Sequence, residues 1–163
     1  MEIPQWAVAE TVTRDVPTAT DEVATLSASG TNADWAKLVL VLGEFPVTDN
    51  NVTVILRWMR QENYTDSWWQ RNNPLNNGWG SGGGAGLGSY VSLVSAAQNA
   101  AEALHSNPGY SAIVASFNQS ADPSATAAAI WASPWASGHY ANGAHWSSTA
   151  VPIVTAPASG WAH

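Results

Sequence analysis

Four apolar side chains, Val52, Ile55, Leu56 and Met59, fall at i, i+3, i+4 and i+7. That spacing predicts an amphipathic helix with one face in a core. Thr48-Asp-Asn-Asn supplies its cap, and the pattern runs to about Glu62. Before it, Asp34-Trp-Ala-Lys-Leu-Val-Leu-Val-Leu42 predicts another helix, capped by Asn32 or Asp34 and ended by Gly43 and Pro46. Ser89 to Leu104 predicts a third, alanine-rich helix, broken by Asn107-Pro-Gly109. A short helix is expected from Tyr110 to about Phe117. Asp122-Pro123, a cap with proline in the first turn, opens one more that runs to Trp131. No repeat is visible. The fold class that follows is mainly α.

The flanks lack this periodicity. Residues 1–33 are rich in Thr, Ala, Ser and Pro, carry Glu2, Glu10, Asp15, Asp21 and Glu22 against Arg14 alone, and predict an extended arm or linker. Residues 34–146 hold the domain, and 147–163, with Pro152 and Pro157, predict an irregular tail. Both ends are expected to dock on a neighbour. Between the second and third helices, residues 72–88 are dense in Asn and Gly, which forbids a helix and predicts a mobile loop or a small β-wing.

Composition narrows the function. Charged residues are 10% of the chain, against the usual ~25%, so the surface must rest on Ser, Thr, Asn, Gln and Gly. Net charge is −7 with five unclustered basic residues, which argues against nucleic acid and against electrostatic docking on an anionic wall or membrane. Cysteine is absent, so neither disulfides nor a thiolate zinc site is available. Met1-Glu-Ile-Pro-Gln-Trp6 lacks the basic and apolar regions of a signal peptide. No apolar run approaches the ~18–20 residues of a membrane span. Ten tryptophans are a large excess; most are expected in the core or at interfaces, and the residue type also suits flat platforms on which the CH faces of sugar rings stack.

Glu62 carries the chemistry in this reading. It continues the Ile55–Trp58–Met59 edge of the helix, with Trp68, Trp69 and the loop Asn73-Pro-Leu-Asn76 soon after. A carboxyl in an apolar setting holds a proton near neutral pH and can act as a general acid on a glycosidic bond. The plainer alternative is a solvated helix end paired to Arg57, Arg60 or Arg71. A second carboxyl would complete the usual pair, and Asp66, Glu44 and Asp49 are the nearest candidates, none of them well placed in sequence. Trp131-Ala-Ser-Pro-Trp-Ala-Ser-Gly-His-Tyr140 forms a second cluster, in which a turn brings Trp135 and Tyr140 together, either as a cleft wall or as a core-closing turn. Gly80-Ser-Gly-Gly-Gly-Ala85 matches a nucleotide-binding pattern only formally, since no strand precedes it. His139 and His145 lack the helix and the acidic neighbours of a metal site.

Taken in order, several of these elements resemble the lysozyme-like catalytic domain of actinobacteriophage endolysins and tail-associated cell-wall hydrolases. They are Leu38-Val-Leu-Val-Leu-Gly43, Pro46-Val-Thr48, Trp58-Met-Arg-Gln-Glu62, Asn73-Pro-Leu-Asn76, Tyr90, Asn107-Pro-Gly-Tyr110 and Ala132-Ser-Pro-Trp135. The resemblance spans roughly residues 34–146. It implies a small helical lysozyme-like domain that cuts peptidoglycan glycan strands, as a muramidase, glucosaminidase or lytic transglycosylase. Glu62 would be the catalytic acid, and Asn73, Asn76, Tyr90, Trp135 and Tyr140 would bind substrate. No cofactor and no metal are expected. The implied partners are the bacterial peptidoglycan glycan chain and other virion proteins held through the terminal arms, with neither nucleic acid nor membrane. The implied setting is a phage virion, or the host cytoplasm before lysis. Two departures stand out: Asn63-Tyr64 follows the acid where the family commonly has glycine, and no wall-binding module is recognisable. They leave a second expectation open, a non-catalytic virion or glycan-binding protein on the same fold.

Overall fold

The computed structural model describes residues 19–77, 88–136, 138 and 140–161. Seven α-helices occur among them: α1 Ala19–Ser29, α2 Asn32–Leu42, α3 Asp49–Glu62, α4 Leu93–Ser106, α5 Ser111–Asn118, α6 Pro123–Trp131 and α7 Ala158–Trp161. The chain is mainly α, and the one β-type pairing among the described residues is an isolated antiparallel bridge, Thr31 to Thr155. The glycine-rich loop or β-wing expected between α3 and α4 falls largely on residues 78–87, which lie outside the described residues.

Helix α2 sits at the centre, packed against α1, α3 and α4, while α6 closes over α3 and α5. Its cap is Thr31, one residue ahead of the expected Asn32 or Asp34. Thr31 Oγ1 accepts from the Asp34 amide at 3.1 Å, and the Thr31 amide donates to Asp34 Oδ2 at 3.0 Å. This reciprocal pair satisfies two of the amides that a helix start leaves open. Of the expected stripe of α3, Ile55, Leu56 and Met59 are buried and Val52 is half-buried against the core, while Val54 and Trp58 are buried beside them. Helix α4 begins at Leu93, later than its periodicity suggested, because Ser92 caps it through the Ser95 amide. Its alanines 96, 97, 100, 101 and 103 are buried, and their small side chains let neighbouring helices approach closely.

Residues 19–29 form a helix rather than part of an extended arm. Val23 and Leu26 lie against the core, Asp21 and Glu22 occupy the first turn where the helix dipole favours negative charge, and Gly30 at φ +72 terminates it. The tail is also ordered on its own domain. The Asn32 amide donates to Val154 O at 3.0 Å, and the Ala156 amide donates to Gly30 O at 2.9 Å. Asn32 adds a side-chain clasp: Nδ2 donates to Pro152 O at 2.9 Å, and Oδ1 accepts from the Val154 amide at 3.0 Å. Trp161 then enters the core beside Trp68, with ring centroids 6.3 Å apart.

Tryptophan builds this interior. Trp35, Trp58, Trp68 and Trp161 are buried, and Trp69, Trp131, Trp135 and Trp146 are half-buried against the same cluster. Among the described residues no tryptophan is exposed, so the core-packing role accounts for these eight.

Candidate functional site

Helix α3 delivers Glu62 as its last residue, one turn beyond Trp58. The carboxyl does not end in open solvent. Tyr140 donates its hydroxyl proton to Glu62 Oε1, and Trp58 Nε1 donates to Tyr140 Oη at 3.1 Å. A buried indole, a buried phenol and a half-buried carboxyl thus form one directed chain. Burial first, and then the adjacent Glu62 charge and hydrogen bond, raise the Tyr140 pKa far above the ordinary tyrosine value. The phenol therefore keeps its proton across the physiological range and acts as a permanent donor to the carboxyl.

The end of α3 is fixed by a second device. A helix leaves its last carbonyls unpaired, and Asn76 Nδ2 donates to the Glu62 carbonyl at 2.7 Å. Arg71 Nη2 in turn donates to Asn76 Oδ1 at 2.6 Å. Asn63 ties the same helix end to the loop by donating to Pro74 O at 2.9 Å and Asn73 O at 3.3 Å. Arg71, Asn72 and Asn76 all take left-handed backbone, at φ 56, 48 and 47. That region is costly for non-glycine residues and tends to persist where surrounding contacts impose it.

These groups border a groove of about 410 Å³ lined by Arg60, Gln61, Glu62, Asn63, Tyr64, Gln70, Arg71 and Asn76. Its lining is rich in amides, holds one carboxyl, and includes the sole exposed aromatic among the described residues, Tyr64 at 81%. Arg60 closes one end. Its guanidinium donates to Ser147 O, Thr149 O, Thr149 Oγ1 and Ala150 O at 2.8–3.3 Å, clamping the start of the tail beside the groove.

The expected site residues divide. Asn76 lines the groove, and Tyr140 reaches the Glu62 carboxyl, but Tyr140 is buried and acts on the acid rather than as a surface for sugar. Trp135 does meet Tyr140's neighbourhood, through Trp58: its ring stands edge-on to Trp58 at 4.7 Å, and its Nε1 donates to Leu75 O at 3.3 Å. Asn73 is 1% exposed and does not face the groove. Its amide staples the loop, donating to Asn77 O at 3.0 Å and Gly88 O at 3.1 Å and accepting from the Asn77 amide at 3.0 Å. Tyr90 does not line the groove either; its hydroxyl donates to Asn99 Oδ1 of α4 at 2.8 Å, and burial pushes its pKa up to about 12. His139 lies outside the described residues.

No known protein family, curated protein or solved structure matches this chain. The site is therefore read from its own geometry. Sequence reasoning missed Asn63, Gln61, Gln70 and Arg71 as groove residues. A local signal for the left-handed turns at Asn72 and Asn76 was present in the Asn-rich run 72–77, since asparagine tolerates that backbone, but none was present for Arg71. Tyr64, noted as an oddity after Glu62, is the groove's exposed ring.

Proposed function

We propose that this chain is a peptidoglycan glycan-strand hydrolase of the lysozyme-like kind, phage-encoded and virion-associated, with Glu62 as its general acid. The observation that carries the reading is Glu62, whose carboxyl is held by the Trp58–Tyr140 donor chain and which lines a groove of amides beside an exposed tyrosine. Planar amides and aromatic faces are the groups that bind neutral sugar hydroxyls and ring CH surfaces. In the reaction, Glu62 in its protonated form gives its proton to the leaving glycosidic oxygen as the bond to the anomeric carbon breaks, and the Tyr140 donor stabilises the carboxylate that results. Tyr140 fixes the direction of that carboxyl and is a positioning residue. Water then attacks the anomeric carbon, or in the transglycosylase variant a hydroxyl of the strand itself does so, and the proton that this oxygen loses returns to the Glu62 carboxylate.

Among the described residues the groove's lining holds no acid besides Glu62. That observation favours either substrate assistance or the second reading, a glycan-binding virion protein without turnover. Digestion of purified actinobacterial peptidoglycan by wild type and Glu62→Gln, read by mass spectrometry, separates them. Muropeptides released by wild type, with release reduced on the order of 10²–10⁴-fold in the variant, support the hydrolase, and a reduced or anhydro terminus names the reaction. Equal release by both proteins removes Glu62 from the mechanism. No release by either, with glycan retained on pull-down, establishes the binding protein.

A further inference from the structure

We infer that the groove beside Glu62 is built for glycan strands whose stem peptides have been removed, leaving the lactyl carboxylates free, with Arg71 as the anchor for such a carboxylate and Tyr64 as the platform for the adjoining ring. This deepens the glycan-strand reading above and rests on it.

The chain has five Lys and Arg residues against twelve acids, yet two of the five, Arg60 and Arg71, line this one groove. They are not equivalent. Arg60 is committed to the tail through four bonds. Arg71 is exposed, and its bond is to Asn76. A guanidinium carries five N–H donors in a planar fork that matches a carboxylate, so Arg71 retains donors for a ligand. Its position is also imposed: φ 56 and ψ 17, followed by Asn72 at φ 48, place a long side chain where a left-handed backbone would ordinarily select glycine. Such a residue is kept where its side chain is needed at that point.

The anchor is wired to the acid. Arg71 holds Asn76, and Asn76 holds the carbonyl of Glu62. A carboxylate bound at Arg71 would therefore be placed in fixed register with the residue proposed to protonate the strand. Tyr64, two residues past Glu62, offers the exposed face for the sugar that carries or adjoins that carboxylate.

The test uses the full chain carrying Glu62→Gln, which removes turnover from the readout. Calorimetry compares two probes of one backbone: a neutral tetrasaccharide of N-acetylglucosamine, and the tetrasaccharide in which alternate sugars are N-acetylmuramic acid with free lactyl carboxylates. The expected result is binding of the acidic probe about tenfold tighter at low salt, a margin that shrinks as salt rises. Arg71→Gly is the decisive second change, because glycine accepts φ 56 without strain and the fold is kept. It should equalise the two affinities, the ratio of acidic to neutral probe being the readout; Arg71→Lys should retain part of the preference. Tyr64→Ala should weaken both probes alike. Equal affinities before Arg71 is changed, or a preference that survives Arg71→Gly, overturns the anchor and leaves the glycan reading standing. Failure to bind either probe overturns the glycan reading and the anchor together.

Discussion

Replacing Tyr140 with phenylalanine removes one oxygen and keeps the ring against Trp146, whose centroid is 5.9 Å away. The oxygen joins two bonds. Trp58 Nε1, on a side chain 1% exposed, loses its acceptor, and Glu62 Oε1 loses its donor. An orphaned buried N–H costs about 1–3 kcal/mol, and a hydrogen bond to a charged group contributes about 1.5–3 kcal/mol. The sum is an upper bound, because Glu62 is half-buried and can recruit water in place of the phenol. The expected net loss is about 2 kcal/mol, roughly 4–8 °C in Tm for a chain of this size. Urea denaturation should show a lower midpoint with an unchanged slope. A double-mutant cycle with Glu62→Gln isolates the pair, and a coupling of about 1 kcal/mol is expected. A Tyr140→Phe protein with the wild-type midpoint, or a coupling near zero, would show that the donor chain does not hold the carboxyl.

Asn32→Ala tests how the tail is fastened. It strands the Pro152 carbonyl and the Val154 amide together, and a loss of about 2 kcal/mol with faster proteolysis of residues 150–161 is expected; an unaltered cleavage rate would contradict the clasp. Alkaline stability tests the buried phenols. Tyr90, pushed up to about 12, and Tyr140, raised by burial and by Glu62, keep protons that the unfolded chain loses near pH 10. The native state then binds more protons than the unfolded one, so their contribution is complete below about pH 10 and declines as pH rises above it. Spectrophotometric titration should show late-ionising tyrosines that disappear singly in Tyr90→Phe and Tyr140→Phe. Ionisation of all tyrosines near pH 10 in the folded protein would refute the burial argument.

Much of the helical order was legible locally. The stripe Val52–Met59 became the buried face of α3, and Asp122-Pro123 opened α6 as its chemistry requires. Placement of Glu62 at a helix end near a groove followed from the same period. The reading of residues 1–33 as an extended arm departed from the structure over 19–29, because the low hydrophobicity of that stretch hid two side chains, Val23 and Leu26, that pack on a core supplied by other helices. Asn73 was legible as a loop residue but not as a staple. Its role depends on Gly88, which the sequence sets on the far side of a glycine-rich stretch.

What the sequence determined by itself was a mainly helical chain and one carboxyl at the end of an amphipathic helix. Periodicity, caps and breakers act over a few residues, so these features are written where they operate. What only the tertiary structure decided was the company that carboxyl keeps. Tyr140 lies 78 residues from Glu62 and 82 from Trp58, and the tail that Arg60 clamps lies nearly 90 residues away. Hydrogen bonds of that kind form when packing brings distant backbones together and burial removes the competing water. No local pattern specifies them, and on them the direction of the Glu62 carboxyl depends.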